Sequence, residues 1–152
     1  MPVIKNINSG NFRKYGWVIE YPNKGSGKKK ENLFRIVLRE NKPLGWRIAY
    51  LVVRDRAINR LEQHPESFES FEPVRGKSLL YVASIKDTKK IECFLLDKPI
   101  ILKKGIWHGV VTIDKETEIK ITENSGVQCV YWPLGTELNS LSDKSSLRAK
   151  TA

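Results

Sequence analysis

The chain has 152 residues, 40% of them apolar and 29% charged, enough for one core of ordinary size and too few for two folded domains. No apolar run approaches the roughly 18 residues of a membrane span, and Met1 to Gly10 holds one Lys and no apolar h-region, so neither an integral membrane protein nor a secretory leader is expected and the expected address is cytoplasmic. Lys and Arg total 27 against 17 Asp and Glu, a net charge of +10, a surplus that attracts nucleic acid, anionic lipid or a small anionic substrate; without a recognition helix, an RNP-like aromatic motif or a zinc finger, specific nucleic-acid binding is not expected.

From Trp17 onward the apolar residues come in short runs of Val, Ile, Tyr, Phe and Trp broken by Gly, Pro, Asn, Asp or Lys, with almost no helical period. The runs predict strands at Gly16 to Tyr21, Leu33 to Arg39, Gly45 to Val53, Glu69 to Val74 and Ser78 to Ser84. Further strands are predicted at Ile91 to Leu96, Ile100 to Leu102, His108 to Ile113, Thr117 to Thr122 and Val127 to Trp132. Between the first two, Lys24, Lys28, Lys29 and Lys30 crowd a Gly/Ser-rich stretch that reads as a solvated loop. Leu79 to Ala83 is apolar throughout, as in a strand covered on both faces. In Thr117 to Thr122, Ile119 and Ile121 share one face and Glu118, Lys120 and Thr122 the other.

Short strands at this spacing predict an all-β barrel or sandwich, jelly-roll-like with little helix. Residues 1–135 are expected to form it as one domain, and 136–152, rich in Ser, Lys and Leu, to be a flexible or helical tail. Cys93 and Cys129 stand far apart with no CxxC or Cys/His cluster. That excludes a disulfide framework and a structural zinc module, and each cysteine is expected to be a small buried hydrophobe.

Only two histidines occur, each beside unusual punctuation. His64 stands in Glu62-Gln63-His64-Pro65-Glu66, ahead of Glu69 and Phe71-Glu72-Pro73; His108 follows the turn Gly105-Ile106-Trp107 at the mouth of a strand. Imidazole titrates near neutrality, so a cavity shared with a carboxylate can move protons or hold a metal. His64 and Glu66 would share a face of an extended strand, whereas Glu69 has the opposite parity, so a bend near Pro65 is needed if all three are to converge.

The spacing of Glu69 to Gly76 and of Gly105 to His108 resembles the Glu-x6-Gly and Gly-x2-His portions of the cupin motifs. The chain also resembles the ureidoglycolate lyase family, once called ureidoglycolate hydrolase, through Glu62-Gln63-His64-Pro65, Phe71-Glu72-Pro73, Leu79 to Ala83 and Gly105-Ile106-Trp107-His108. The likeness runs from about Asn11 to Pro133, its specific part from Glu62 to His108. Two positions depart from it: Glu69 stands where that family has Gln, and His64-Pro65-Glu66 stands where a typical cupin has His-x-His.

The resemblance implies a cupin-type β fold, a homodimer and a carbon–nitrogen lyase that splits ureidoglycolate, or a similar small ureido or hydroxy acid, into glyoxylate and urea. In that reading His64 or Glu69 is the base, His108 the acid, and one of Arg35, Arg47, Arg54 or Arg60 grips the substrate carboxylate beside Trp107. Alternatively His64, Glu66, Glu69 and His108, a mixed imidazole and carboxylate set, would hold zinc, manganese, nickel or iron in a metal-dependent enzyme of another class. A non-catalytic cupin that binds a small ligand is the third reading.

Overall fold

The computed structural model describes residues 2–22, 25 and 31–140. Among them are eleven strands and no helix, hence no helix long and apolar enough to cross a membrane. In chain order they are β1 (Ile4–Asn6), β2 (Gly16–Val18), β3 (Trp46–Val53), β4 (Ala57–Gln63), β5 (Glu69–Arg75) and β6 (Ser78–Ser84). β7 (Asp87–Leu96), β8 (Ile100–Leu102), β9 (Trp107–Thr112), β10 (Thr117–Asn124) and β11 (Val130–Asn139) follow. They form a six-stranded sheet, β1-β7-β6-β9-β4-β11, and a five-stranded sheet, β2-β8-β5-β10-β3. This is the all-β sandwich expected from the sequence.

Strand parity decides what each sheet buries. β6 lies between β7 and β9 with both faces covered: Leu80 and Val82 enter the core between the sheets with Phe12, Phe94, Ile100 and Ile119. Leu79 and Tyr81, of the other parity, join Leu61, Cys93 and Val111 in a second cluster. Each such side chain contributes about 1.5–3 kcal/mol on burial, so the uniformly apolar run of β6 supplies two cores at once. β10 alternates along its whole length, burying Thr117, Ile119, Ile121 and Glu123.

Several strand bounds differ from expectation. Leu33 to Arg39 is not a strand: among the described residues no strand pairs with it, and Leu33, Phe34 and Ile36 are exposed. High β-propensity without a pairing partner does not make a strand. β1 and β4 lie outside the predicted set; β4 carries Asn59, Arg60 and Glu62 and so lacks an apolar signature. β7 begins earlier, over the polar Asp87 to Lys90. β11 continues through Thr136 to Asn139, into the span expected to be a tail, with its register shifting past Pro133, as an edge strand tolerates. The remainder of that expected tail, 141–152, lies outside the described residues, as does the Lys24–Lys30 loop apart from Gly25.

Candidate functional site

β4 belongs to one sheet and β5 to the other, so the chain between them crosses the sandwich at one end. His64 to Phe68 make that crossing, and the bend required by parity is a sheet-to-sheet corner. Asn124 fixes it: its backbone N–H donates to Ser67 Oγ (3.0 Å) and its side-chain amide to Glu66 O (3.1 Å). The corner leaves His64 facing Glu69, the first residue of β5. On the neighbouring strand β9, His108 stands opposite Glu62 of β4. Gly105, in the left-handed region (φ 77°), turns the chain into β9 and donates its N–H to His64 O at 2.9 Å. The two histidine segments are thereby tied through the backbone.

Both imidazoles reach one carboxylate oxygen. His64 Nε2 lies 2.9 Å and His108 Nε2 3.1 Å from Glu69 Oε2, and all three side chains are buried. Glu62 Oε1 lies 3.7 Å from His108 Nε2. The other ring nitrogens are committed to backbone carbonyls, His64 Nδ1 to Gln128 O (3.0 Å) and His108 Nδ1 to Ile106 O (2.9 Å). A donor Nδ1–H in each ring leaves Nε2 as the atom presented to Glu69. His108 Nε2 and Glu69 Oε2 are close without hydrogen-bond alignment to each other or to any other group.

Burial pushes the Glu69 carboxyl up, but the two imidazoles outweigh it and hold the group at about 2. Burial also opposes charge on His64, yet the Glu69 carboxylate and the Gln128 carbonyl raise it to about 9. His108, the most enclosed, is raised for the same reason against the same opposition. At neutral pH Glu69 is therefore an anion and His64 a cation, and the same carboxylate favours the protonated form of His108, so the cluster can hold and pass protons.

A cavity of about 370 Å³ reaches this cluster, lined near it by Glu62, Glu69, Phe71 and His108 and nearer its mouth by Arg54, Arg60 and Tyr131. Of the sequence-derived candidates, the structure brings together His64, Glu69 and His108. Glu66 is exposed and outside the cluster. Trp107 has the opposite parity to His108 and packs on Trp132, ring centroids 5.7 Å apart, beside the second apolar cluster. Arg35 donates to Glu20 O (2.8 Å) and does not line the cavity. Arg47 gives Nε and Nη2 to Glu123 Oε1 (3.0 and 2.7 Å). Arg54 and Arg60 line the mouth.

Glu62, Glu123 and Tyr131 were not among the sequence candidates. Parity could have found two of them: Glu62 precedes His64 by one alternate position, and Glu123 continues the buried face of Ile119 and Ile121, an acid on an apolar stripe. Tyr131 is paired with Glu62 across β4 and β11; that register is not written locally. Cys129, expected to be buried, is exposed, with Sγ 3.7 Å from His64 Nδ1, whereas Cys93 is buried as expected.

Two overlapping sets, Glu62 with His64 and His108, and His64 with Glu69 and Glu123, each place donor atoms within 4.8 Å of one another. The unaligned Nε2 and Oε2 atoms and the backbone-anchored Nδ1 atoms are the chemistry of a first-row metal site. The residues present fit a divalent cation, with Glu62 or Glu123 in the place expected for Glu66.

A family model described as ureidoglycolate lyase matches residues 2–132. Among solved structures, one of Bacillus subtilis oxalate decarboxylase, concerned with the Mn(II) centres of that enzyme, is 17% identical with a TM-score of 0.46. Another of the same enzyme is 19% identical with a TM-score of 0.45. Each alignment covers 60% of this chain and 24% of that one, so the match spans about a quarter of the decarboxylase's length. No curated protein matches.

Proposed function

The chain belongs to the ureidoglycolate lyase family, and we propose that it splits ureidoglycolate, or a closely similar small ureido or hydroxy acid, into glyoxylate and urea by acid–base catalysis at Glu69, His64 and His108. The observation that carries this reading is the meeting of both imidazoles on one buried carboxylate oxygen, at 2.9 and 3.1 Å, with Glu69 and His108 lining a cavity of small-molecule size and His64 buried against Glu69 outside that lining.

Ureidoglycolate is a carbinolamide. Its cleavage needs the hydroxyl proton removed, the carbon–nitrogen electron pair moved onto nitrogen, and a proton delivered to that nitrogen as urea departs. Glu69, ionised, accepts the hydroxyl proton while His108, protonated, gives one from Nε2 to the leaving nitrogen. The proton on Glu69 then returns to His108, whose Nε2 lies 3.1 Å from it, once the two groups turn into alignment, restoring the resting state. His64 stabilises the carboxylate and holds a second proton 2.9 Å from it. Each proton transfer of this kind is typically worth about 10²- to 10⁴-fold. The reading is tested by incubating the protein with racemic ureidoglycolate and following glyoxylate. Release above the non-enzymatic rate is expected; its absence, with and without added divalent metal, rejects the reading.

The converging nitrogens and carboxylates favour a second reading, a metal-dependent member of the same fold. A divalent transition metal held by Glu62, His64 and His108, or by His64, Glu69 and Glu123, would supply Lewis-acid polarisation of a substrate oxygen. Elemental analysis of protein purified without chelator separates the two: stoichiometric metal supports the second, and a metal-free active protein the first.

A further inference from the structure

The geometry points to Arg60, held in place by Tyr131, as the group that selects a carboxylate-bearing substrate at the mouth of the cavity. This rests on the proposed lyase reading and names the specificity residue that reading leaves open. Four arginines compete for the role, and the structure separates them by what already occupies their guanidinium groups. Arg47 spends two nitrogens on Glu123, Arg54 pairs with Glu116 Oε2 at 3.0 Å, and Arg35 lies away from the cavity on Glu20 O. Arg60 lines the cavity, and among the described residues no carboxylate lies within ion-pair distance of it.

Its position follows from strand geometry. Arg60 and Glu62 share a face of β4, two residues apart, and Tyr131 of β11 is the direct cross-strand partner of Glu62. Arg60 is therefore diagonal to Tyr131, within reach of a long side chain, and its guanidinium carbon lies 4.2 Å over the tyrosine ring. Stacking on the flat face leaves the edge N–H donors of the guanidinium free to form the two-pronged contact that a carboxylate accepts. In the same row across the sheet come Tyr131, Glu62 and His108. A small acid gripped by Arg60 is thus anchored on the strand that also carries Glu62, the pairing partner of His108. Glu62 and Glu69 repel a second negative charge deeper in the cavity, which favours a monoanion held by its carboxylate at the mouth.

Tyr131 is in this account a positioning residue and Arg60 a substrate-binding one. The test measures kcat and KM for ureidoglycolate and for its neutral amide, and, independently of turnover, glyoxylate binding by calorimetry. The proteins are wild type, R60A, R60K, Y131L and Y131F, with R35A as the control outside the cavity. Loss of a charge-assisted pair predicts that R60A raises KM for the acid and Kd for glyoxylate about 10- to 100-fold. The expected change falls on KM, with kcat little altered and the neutral amide unaffected. R60K recovers part of the loss; Y131L weakens binding about 2- to 5-fold through lost stacking, and Y131F, which keeps the ring, restores it. Glyoxylate binding that depends on Arg60 without any lyase turnover rejects the proposed reaction and keeps this inference. Turnover or binding indifferent to R60A, an equal loss with the neutral amide, or no glyoxylate binding by the wild type overturns the inference. Circular dichroism identifies a misfolded variant, and R60K with Y131L then carries the same comparison.

Discussion

The inner end of the cavity and its mouth both carry charge, and they use it differently. At the inner end Glu69 and His108 line the cavity and are buried together with His64, which contacts Glu69 from outside the lining, so the protonation of these groups is set by neighbours and shifts far from ordinary values. At the mouth Arg54 and Arg60 are exposed, water screens them, and what counts is whether a partner already occupies each one. Depth converts charge into proton chemistry, whereas exposure leaves it free to bind.

Breaking the inner end produces the largest expected effect. E69Q removes the shared anion while keeping shape, and kcat for ureidoglycolate is expected to fall about 10²- to 10⁴-fold. Because two buried imidazoles lose their counter-charge, about 3–5 kcal/mol of stability is also at risk, read by urea denaturation near pH 7. H108Q is expected to lower kcat by a similar factor with KM nearly unchanged. An equal rise in KM instead would move His108 from proton transfer to binding.

The same region sets the pH dependence of stability. Glu69 is held at about 2, below its unfolded value, so its contribution is present above about pH 4.3 and lost as pH falls toward 2. His64 is raised to about 9, so its contribution is complete below about pH 6.5 and lost as pH climbs to 9. Thermal melts are expected to show a plateau between roughly pH 4.3 and 6.5 with a fall on either side, and E69Q should flatten both flanks.

A smaller effect comes from the turn that joins the two histidine segments. G105A places a side chain at φ 77°, where its Cβ would come 2.4 Å from Ile85 Cδ1. The left-handed conformation alone costs roughly 1–2 kcal/mol. Both the melting temperature and kcat should drop, since Gly105 donates to His64 O. At the mouth, R54A is expected to raise KM only about 2- to 5-fold, because Glu116 already neutralises that arginine. E66Q is the smallest: its exposed side chain lies outside the cluster, and an unchanged kcat/KM is expected, whereas a large loss would return Glu66 to the site.

How much of this is written in the sequence depends on how local the determinant is. Leu79 to Ala83 and the Ile119–Ile121 alternation encode burial within a few residues, so the central strands and the sandwich were legible. The two histidines stood out because the residue type is rare and each sits beside a Pro or a Gly turn. Glu62, Trp107, Tyr131 and the arginines were not resolvable, because their roles depend on cross-strand register. Trp107 and His108 are adjacent, yet pleating sends one to the second apolar cluster and the other to the cavity. Arg60 is singled out only by the stack formed when β11 returns beside β4. Leu33 to Arg39 failed for the converse reason, a strong local signal without a strand to pair with.

The central claim is that one carboxylate oxygen governs both imidazoles. The direct measurement is an NMR pH titration of the two histidine ring signals in chelator-treated wild type and in E69Q. The account predicts that both rings remain protonated through neutrality in the wild type, His64 titrating near about 9, and that both midpoints drop together in E69Q. Two rings titrating independently near 6.5 and indifferent to that substitution would contradict it.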